Sequence, residues 1–322
     1  MKILFADAFP ADHFAAAVAR GHECALKAEL TAETLPEAIA GYQALVVRST
    51  RVTAETFARA DALKLVVRAG AGTNTIDKDT AAGRGICVCN VPGRNAIAVA
   101  ELTLGLLLAI DRRIPDAVAD LRAGKWDKKR YSTGLGLYGR CIGIVGMGAI
   151  GVAVAERATA FGMRVKTLDK PDRAAPIAAR LAALGVELIA ELADLAATCD
   201  VLSFHVPATP GTRGLLGREL LARMRPGSIV LNTSRGEVVD EAALLAALDE
   251  KGIRAGLDVY AGEPGTPRGV FDSPLARHPN VYGTHHVGAS TRQAQNAVAE
   301  GTLEVIDAFN DGTVLNCVNG VA

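Results

Sequence analysis

The stretch GIVGMGAIG, residues 143 to 151, decides how this chain is read. It sets Gly146, Gly148 and Gly151 in a G-x-G-x-x-G spacing. Alone, that spacing is a weak signal. Here the apolar run CIGIVG leads directly into it and a long Ala-rich run follows, so it lies between a strand and a helix, the context that makes it specific. The first glycine then permits a tight turn, the second lets a pyrophosphate approach the backbone, and the third lets helix and strand pack closely. Amides at the helix N-terminus face the phosphates, where the helix dipole favours negative charge. The next strand, RVKTLD, ends in Asp169, 18 positions beyond Gly151. A carboxylate there accepts from both ribose hydroxyls and repels a 2′-phosphate, so NAD is expected rather than NADP. Lys170 weakens that preference slightly.

Outward from this turn, short apolar strands alternate with Ala-rich helical runs almost end to end. Before it lie KILFAD, CALK, ALVVRS, LKLVVRAG and ICVCNV, separated by runs such as TAETLPEAIA and TAETFARA, which open on Thr as an N-cap does. A long helical pattern covers about residues 95 to 112. After the turn come RVKTLD, VLSFHV, SIVLNTS, RAGLDVY and NVYGTH, and a closing helix starts at Ser290-Thr291. The strands lack polar alternation, as parallel strands covered on both faces do. The expectation is therefore an α/β chain of two doubly wound parallel-sheet domains, of Rossmann or flavodoxin-like type.

Composition excludes other classes. Half of the 322 residues are hydrophobic and 22% are charged, as in soluble globular proteins. Lys+Arg and Asp+Glu both number 35, so nothing attracts nucleic acid or an anionic membrane. The longest apolar stretch, ELTLGLLLAI, is too short to span a bilayer, and a cytoplasmic protein is expected. The six cysteines show neither C-x-x-C nor zinc spacing, so no metal is expected. Cys87 and Cys89 share one face of a strand and read as buried thiols.

In open α/β sheets, ligands bind beyond the carboxyl ends of the strands. At those ends stand His205-Val206-Pro207, Arg235, Asp258 with Glu263 just after it, the pair His285-His286, and in the first series Arg48 and Arg68. An arginine, a glutamate and a histidine from three strand ends suit hydride transfer on a 2-hydroxy or 2-keto acid. The guanidinium holds the carboxylate by a two-pronged hydrogen bond. The imidazole takes and returns the hydroxyl proton, and the glutamate raises its pKa and orients it. Singly, each of these residues is more often a surface charge or a packing histidine. Their joint placement beyond a dinucleotide turn is what points to function.

The segments RAGAGTNTID, NVPGRNAIAVAELTLGLLLA, GIVGMGAIG, HVPATPGTRGLL, NTSRGEVVDEAALLAAL, GLDVYAGEP and HHVGAST resemble the D-isomer-specific 2-hydroxyacid dehydrogenases, over about residues 44 to 305. The resemblance implies Arg235, Glu263 and His286 as catalytic residues. It implies an NAD site from Gly146, Gly148, Ala149, Ile150, Gly151, Asp169, His205, Val206, Pro207, Thr212, Thr233, Ser234, Asp258, Gly288 and Ala289. It places Ala71 and Gly72 at the substrate carboxylate and Arg48 and Arg68 at a substrate phosphate. It implies a discontinuous substrate domain of residues 1–93 and 289–322, an NAD domain of 94–288, an active site in the cleft between them, and a homodimer or homotetramer. The activity implied is oxidation of D-3-phosphoglycerate, with a hydroxypyruvate or glyoxylate reductase or another D-2-hydroxyacid dehydrogenase as the alternative, and an NAD-sensing scaffold as the non-enzymatic one. Three departures stand out. His285 occupies a position usually held by proline, and is expected to face away from His286 as a packing residue or as one that supports the groups touching substrate. Ala149 stands where many relatives carry Arg. The chain ends at Ala322, which leaves no length for a serine-binding regulatory domain, so feedback by serine is not expected. The basic segment 124 to 131, GKWDKKRY, is expected either to reach a neighbouring subunit's substrate or to be a solvated helix end.

Overall fold

Near-continuous apolar runs bury both faces of a strand, and such strands pair in parallel beneath helices. The computed structural model, which describes residues 1–264 and 268–321, contains two sheets of this kind. The first is built from β1 (Lys2–Phe5), β2 (Glu23–Leu26), β3 (Ala44–Val47), β4 (Leu65–Arg68) and β5 (Cys87–Asn90). All its pairings are parallel, in the order β2-β1-β3-β4-β5, the flavodoxin-like winding. The second contains β6 (Cys141–Val145), β7 (Arg164–Leu168), β8 (Glu187–Ile189), β9 (Val201–Phe204), β10 (Ile229–Asn232), β11 (Arg254–Leu257) and β12 (Val281–Gly283). Its order is β12-β11-β10-β9-β6-β7-β8, again all parallel. The doubly wound parallel α/β class is therefore what the chain forms. Its compact units are Met1–Asn95 with Ser290–Ala322, and Ala96–Ala289.

Burial explains the order. The central strands β3, β6, β9 and β10 are buried at every position, whereas the edge strand β8 has none buried. That is why β8 escapes a reading of apolar runs: it is short and half polar, and only pairing with β7 makes it a strand. In the second unit, Leu104, Leu107 and Ile110 of the helix Ala96–Arg112 pack on Ile142, Ile144, Ile229 and Leu231. Truncating one such leucine to alanine costs about 2–5 kcal/mol. In the first unit, Leu303, Val305 and Ile306 of the helix Arg292–Asn310 cover Ile3, Phe5, Val46 and Val67.

Helix starts are only partly as the sequence suggests. Thr53 heads the helix Ala54–Arg59 without a side-chain cap bond, and Glu55 stands two places on rather than the three at which a glutamate could reach back to the N-cap amide. Side-chain caps form instead at Asp77, Asp240, Ser273 and Thr291. Among the described residues, no helix is long and apolar enough to cross a membrane.

Candidate active site

The glycine turn sits where the second sheet reverses direction, between β6 and its two neighbours β9 and β7, the switch point at which such sheets bind ligands. Gly146 has φ +101°, and a Cβ there would lie 2.5 Å from the carbonyl oxygen of His205. Gly151 lies in the first turn of the helix Ala149–Ala160, where a Cβ would fall 2.0 Å from the Gly146 oxygen. Both positions accept only glycine because backbone stands in the way. Gly148, the N-cap, is different: a Cβ would meet nothing within 4 Å. The space before the helix N-terminus is thus open on the protein side, and the first helical amides, Ala149 and Ile150 among them, have no partner within the helix. This cradle fits a pyrophosphate.

Asp169 directly follows β7 with an exposed side chain, and Lys170 after it is exposed too. Beyond β9, the His205 Nε2 lies 2.8 Å from the Ser203 hydroxyl, and its Nδ1 is enclosed. Burial pushes the His205 pKa down to about 3, so the ring is neutral. Val206 and Pro207 follow in the loop. The Thr212 hydroxyl is turned back into that loop, accepting from the Thr209 amide at 2.8 Å.

The turn after β10 is organised by Asn232, the last residue of that strand. Its side chain accepts from the amide and hydroxyl of Ser234, at 3.0 and 2.7 Å, and donates to the Arg235 carbonyl at 2.9 Å. Thr233, also buried, lies 2.9 Å from the Thr103 hydroxyl. Since Thr103 donates to the Val99 carbonyl at 2.8 Å, Thr233 is the donor between them. Gly236 lets this turn touch the next one: a Cβ would lie 2.1 Å from the Tyr260 carbonyl carbon. The segments carrying Arg235 and Glu263 are thereby brought side by side.

Glu263 receives the Tyr260 amide on Oε1 at 2.8 Å and meets His286 Nδ1 through Oε2 at 2.7 Å. The bond to Glu263 raises the His286 pKa above its usual 6.5, against the opposing effect of burial. Burial would raise the Glu263 pKa, but the His286 bond and the Tyr260 amide outweigh it, and the carboxyl titrates below its usual 4.5. Arg235 acts on both groups, lowering each. The three expected catalytic residues therefore stand together in one unit.

His286 is held in the left-handed region, φ +53°. Asp258, 1% exposed, fixes that conformation. Its carboxylate accepts from the Thr284 hydroxyl at 2.6 Å and from the amides of Val287 and Gly288 at 2.8 Å each, while its carbonyl accepts from the His286 amide at 2.8 Å. Ala289 follows directly. His285 is exposed and lies in the bend after β12, which ends at Gly283. Strand alternation therefore does not govern the histidine pair, and His285 packs against nothing that would make it a core residue.

In the first unit, Arg48 and Arg68 stand at the carboxyl ends of adjacent strands β3 and β4. Arg48 Nη2 reaches the Ser290 hydroxyl at 3.4 Å. Asp7, at the end of β1, collects the amides of Arg48, Ser49 and Thr50 at 2.6, 3.1 and 3.1 Å. The sequence offered that residue at the end of KILFAD, yet a carboxylate serving backbone has no motif. Asn90 Nδ2 donates to the Ala71 carbonyl at 2.6 Å, and the Val91 amide to that of Gly70 at 2.9 Å. The loop carrying Ala71 and Gly72 is thus tied to the end of β5. In the basic segment, Lys125 and Arg130 both pair with Asp120.

A family profile described as "D-isomer specific 2-hydroxyacid dehydrogenase, NAD binding domain" matches residues 104–288. The chain belongs to this family. Its NAD-binding domain is the unit that holds the glycine cradle, and NAD is its cofactor. The D-3-phosphoglycerate dehydrogenase of Methanocaldococcus jannaschii is 43% identical over 298 residues, 90% of this chain and 55% of that protein. The chain spans about half the length of the curated relatives it matches. Among solved structures, the TT0316 protein from Thermus thermophilus superposes with a TM-score of 0.85 at 36% identity, covering 99% of this chain and 100% of that one. A glyoxylate reductase from Paecilomyes thermophila gives 0.84 at 26% identity, covering 99% and 98%.

Proposed function

We propose that this family member oxidises D-3-phosphoglycerate to 3-phosphohydroxypyruvate, and catalyses the reverse reduction. The observation that carries a catalytic reading is the Glu263–His286 pair at 2.7 Å. Bound NAD supplies the hydride acceptor. With Nδ1 engaged by Glu263, Nε2 is the ring atom left to take the proton of the C2 hydroxyl as the carbonyl forms. Glu263 holds the resulting imidazolium until solvent removes the proton. In reduction the imidazolium returns that proton to the new alkoxide. Arg235 grips the carboxylate in a forked hydrogen bond, which fixes the C2 centre for transfer. Ala71 and Gly72 offer amides to the same carboxylate, and Asp169 takes the ribose hydroxyls. Positioned acid–base groups contribute about 10²–10⁴-fold. His286→Ala should lower kcat by that much while leaving NADH binding, read by fluorescence titration, within a few-fold of wild type. Full activity in His286→Ala would end this reading.

The phosphorylated substrate is favoured by the paired strand ends of Arg48 and Arg68 and by the 43% identity to a D-3-phosphoglycerate dehydrogenase, against 26% to a glyoxylate reductase. Two guanidiniums suit a phosphate dianion, and a small keto acid needs only Arg235. A scaffold that only senses NAD has no use for a proton-transfer pair.

A homodimer joined through the NAD-binding unit completes the proposal. On the helix Ile114–Arg122, Ile114, Val118 and Leu121 form an exposed stripe at i, i+4, i+7 spacing. Trp126, Leu135 and Tyr138, 83%, 74% and 88% exposed, extend the apolar surface nearby in sequence. Exposed large apolar groups in such number mark an interaction surface. Sedimentation should show a dimer that Leu121→Glu dissociates.

A further inference from the structure

Three cysteines gather at the β5 side of the first sheet. Cys87 and Cys89 belong to β5, 6% and 0% exposed, and Cys317 lies opposite Cys89 in an antiparallel bridge. The bridge is made by the C-terminal segment. The Asn90 amide donates to the Asn316 carbonyl at 3.3 Å, and the Val318 amide to that of Val88 at 2.8 Å. Asn319 adds two side-chain bonds, accepting from the Val88 amide at 3.0 Å and donating to the Ile86 carbonyl at 2.8 Å. The segment thus extends the sheet beyond β5.

The bond pattern fixes the geometry of the cysteine pair. The hydrogen bonds flank Cys89 and Cys317 rather than joining them, so they form a non-hydrogen-bonded pair. In such pairs the Cα atoms stand about 4.5 Å apart and the side chains approach closely on one face. Disulfides span Cα separations of about 4.4–6.8 Å, so this site lies at the short end of what a disulfide can bridge. Bonds formed at the strained end are the readily reduced ones. The bridge sets the two side chains beside each other, and the Cys317 thiol donates to the Asn319 Oδ1 at 3.2 Å. Among the described residues, no group of three or more His, Cys, Asp or Glu can hold a metal ion, so the cluster is not a metal site.

We propose that Cys89 and Cys317 form a reversible disulfide under hydroperoxide stress, pinning the C-terminal segment to β5. Cys317 is partly exposed and reacts first. Its sulfur takes one oxygen as the peroxide O–O bond breaks, giving a sulfenic acid and water. The Cys89 sulfur then attacks that sulfur. The S–S bond forms, the S–O bond breaks, and hydroxide leaves with the Cys89 proton as a second water. Two thiols lose one electron each and one peroxide gains two. Cys89 is 0% exposed, so peroxide does not reach it, and burial pushes its thiol up to about 12, so its proton leaves only with the departing hydroxide. The other close pair lacks such access. Cys141 and Cys199 have sulfurs 3.4 Å apart, but both are fully buried in the second unit.

The test uses the purified chain, treated with hydrogen peroxide, quenched with catalase, alkylated and digested without reductant. Mass spectrometry should find a linked peptide pair containing Cys89 and Cys317, lighter by two hydrogens than its parts, and lost after reduced glutathione under native conditions. Hydrogen exchange at Val318 should slow several-fold in the oxidised protein. Cys141→Ser should leave the link in place, and Cys317→Ser should abolish it. Full alkylation of both thiols, a link at Cys141–Cys199 instead, or sulfinic acid at Cys317 without a link would each overturn the proposal in the wild-type chain, whatever the variants do.

Discussion

Asp258→Ala is the perturbation whose size can be worked from the structure. The carboxylate has three donors and lies 1% exposed. Removing it leaves the buried Gly288 amide without an acceptor, at about 1–3 kcal/mol. The Val287 residue is 41% exposed, so water replaces its bond at about 0.5–1 kcal/mol. Loss of the Thr284 bond adds about 0.5–1.5 kcal/mol. The sum is about 2–5.5 kcal/mol from the Ala96–Ala289 unit, or about 0.7–1.8 M in urea midpoint if that unit unfolds with a slope near 3 kcal/mol/M. Asp258→Asn keeps one oxygen and turns an amide toward Gly288, so roughly half that loss is expected. Because the same bonds hold His286 in its left-handed conformation, kcat should fall about tenfold or more, a misplacement effect. Urea unfolding followed by circular dichroism, with NADH oxidation on the same samples, reads both. A midpoint within 0.2 M of wild type, roughly 0.5 kcal/mol at that slope, together with unchanged kcat, would refute the claim that Asp258 organises the segment.

Glu263→Gln removes the group that raises the His286 pKa, so the loss of reductive kcat/KM at rising pH should move to lower pH; a profile that stays in place contradicts the pair. The same shifts give the pair's contribution to stability a pH window. It is present below the usual His value of 6.5 and lost as pH rises through the raised one, and present above the usual Glu value of 4.5 and lost as pH falls through the lowered one. His285→Pro should retain most turnover, since His285 is exposed beyond the end of β12; its loss would shift the acid–base role toward that residue. Gly151→Ala, with its Cβ 2.0 Å from the Gly146 oxygen, should destabilise by about 3 kcal/mol or more, measured by urea midpoint.

What the sequence made legible follows from how each feature is encoded. The parallel sheets come from apolar runs that are buried because of their content, and the glycine turn from three positions where backbone excludes a side chain. Arg235, Glu263 and His286 were legible because chemistry-bearing side chains at strand ends are few. Residues that act on backbone were not. Asp7, Asn232 and Thr103 serve amides, carbonyls and a neighbouring hydroxyl, and nothing in their spacing says which. Strand β8 was hidden because its partner β7, not its own pattern, makes it a strand. The histidine pair escapes strand alternation because β12 ends at Gly283, two residues before His285.

The most direct test compares NADH oxidation by the purified chain with 3-phosphohydroxypyruvate, hydroxypyruvate, glyoxylate and pyruvate at equal concentrations. The account predicts the highest kcat/KM for the phosphorylated acid, and a loss of at least tenfold in Arg48→Ala that is confined to it, about 1.4 kcal/mol for one guanidinium–phosphate contact. Equal or better turnover of glyoxylate or hydroxypyruvate, with Arg48→Ala indifferent to the phosphate, would contradict it.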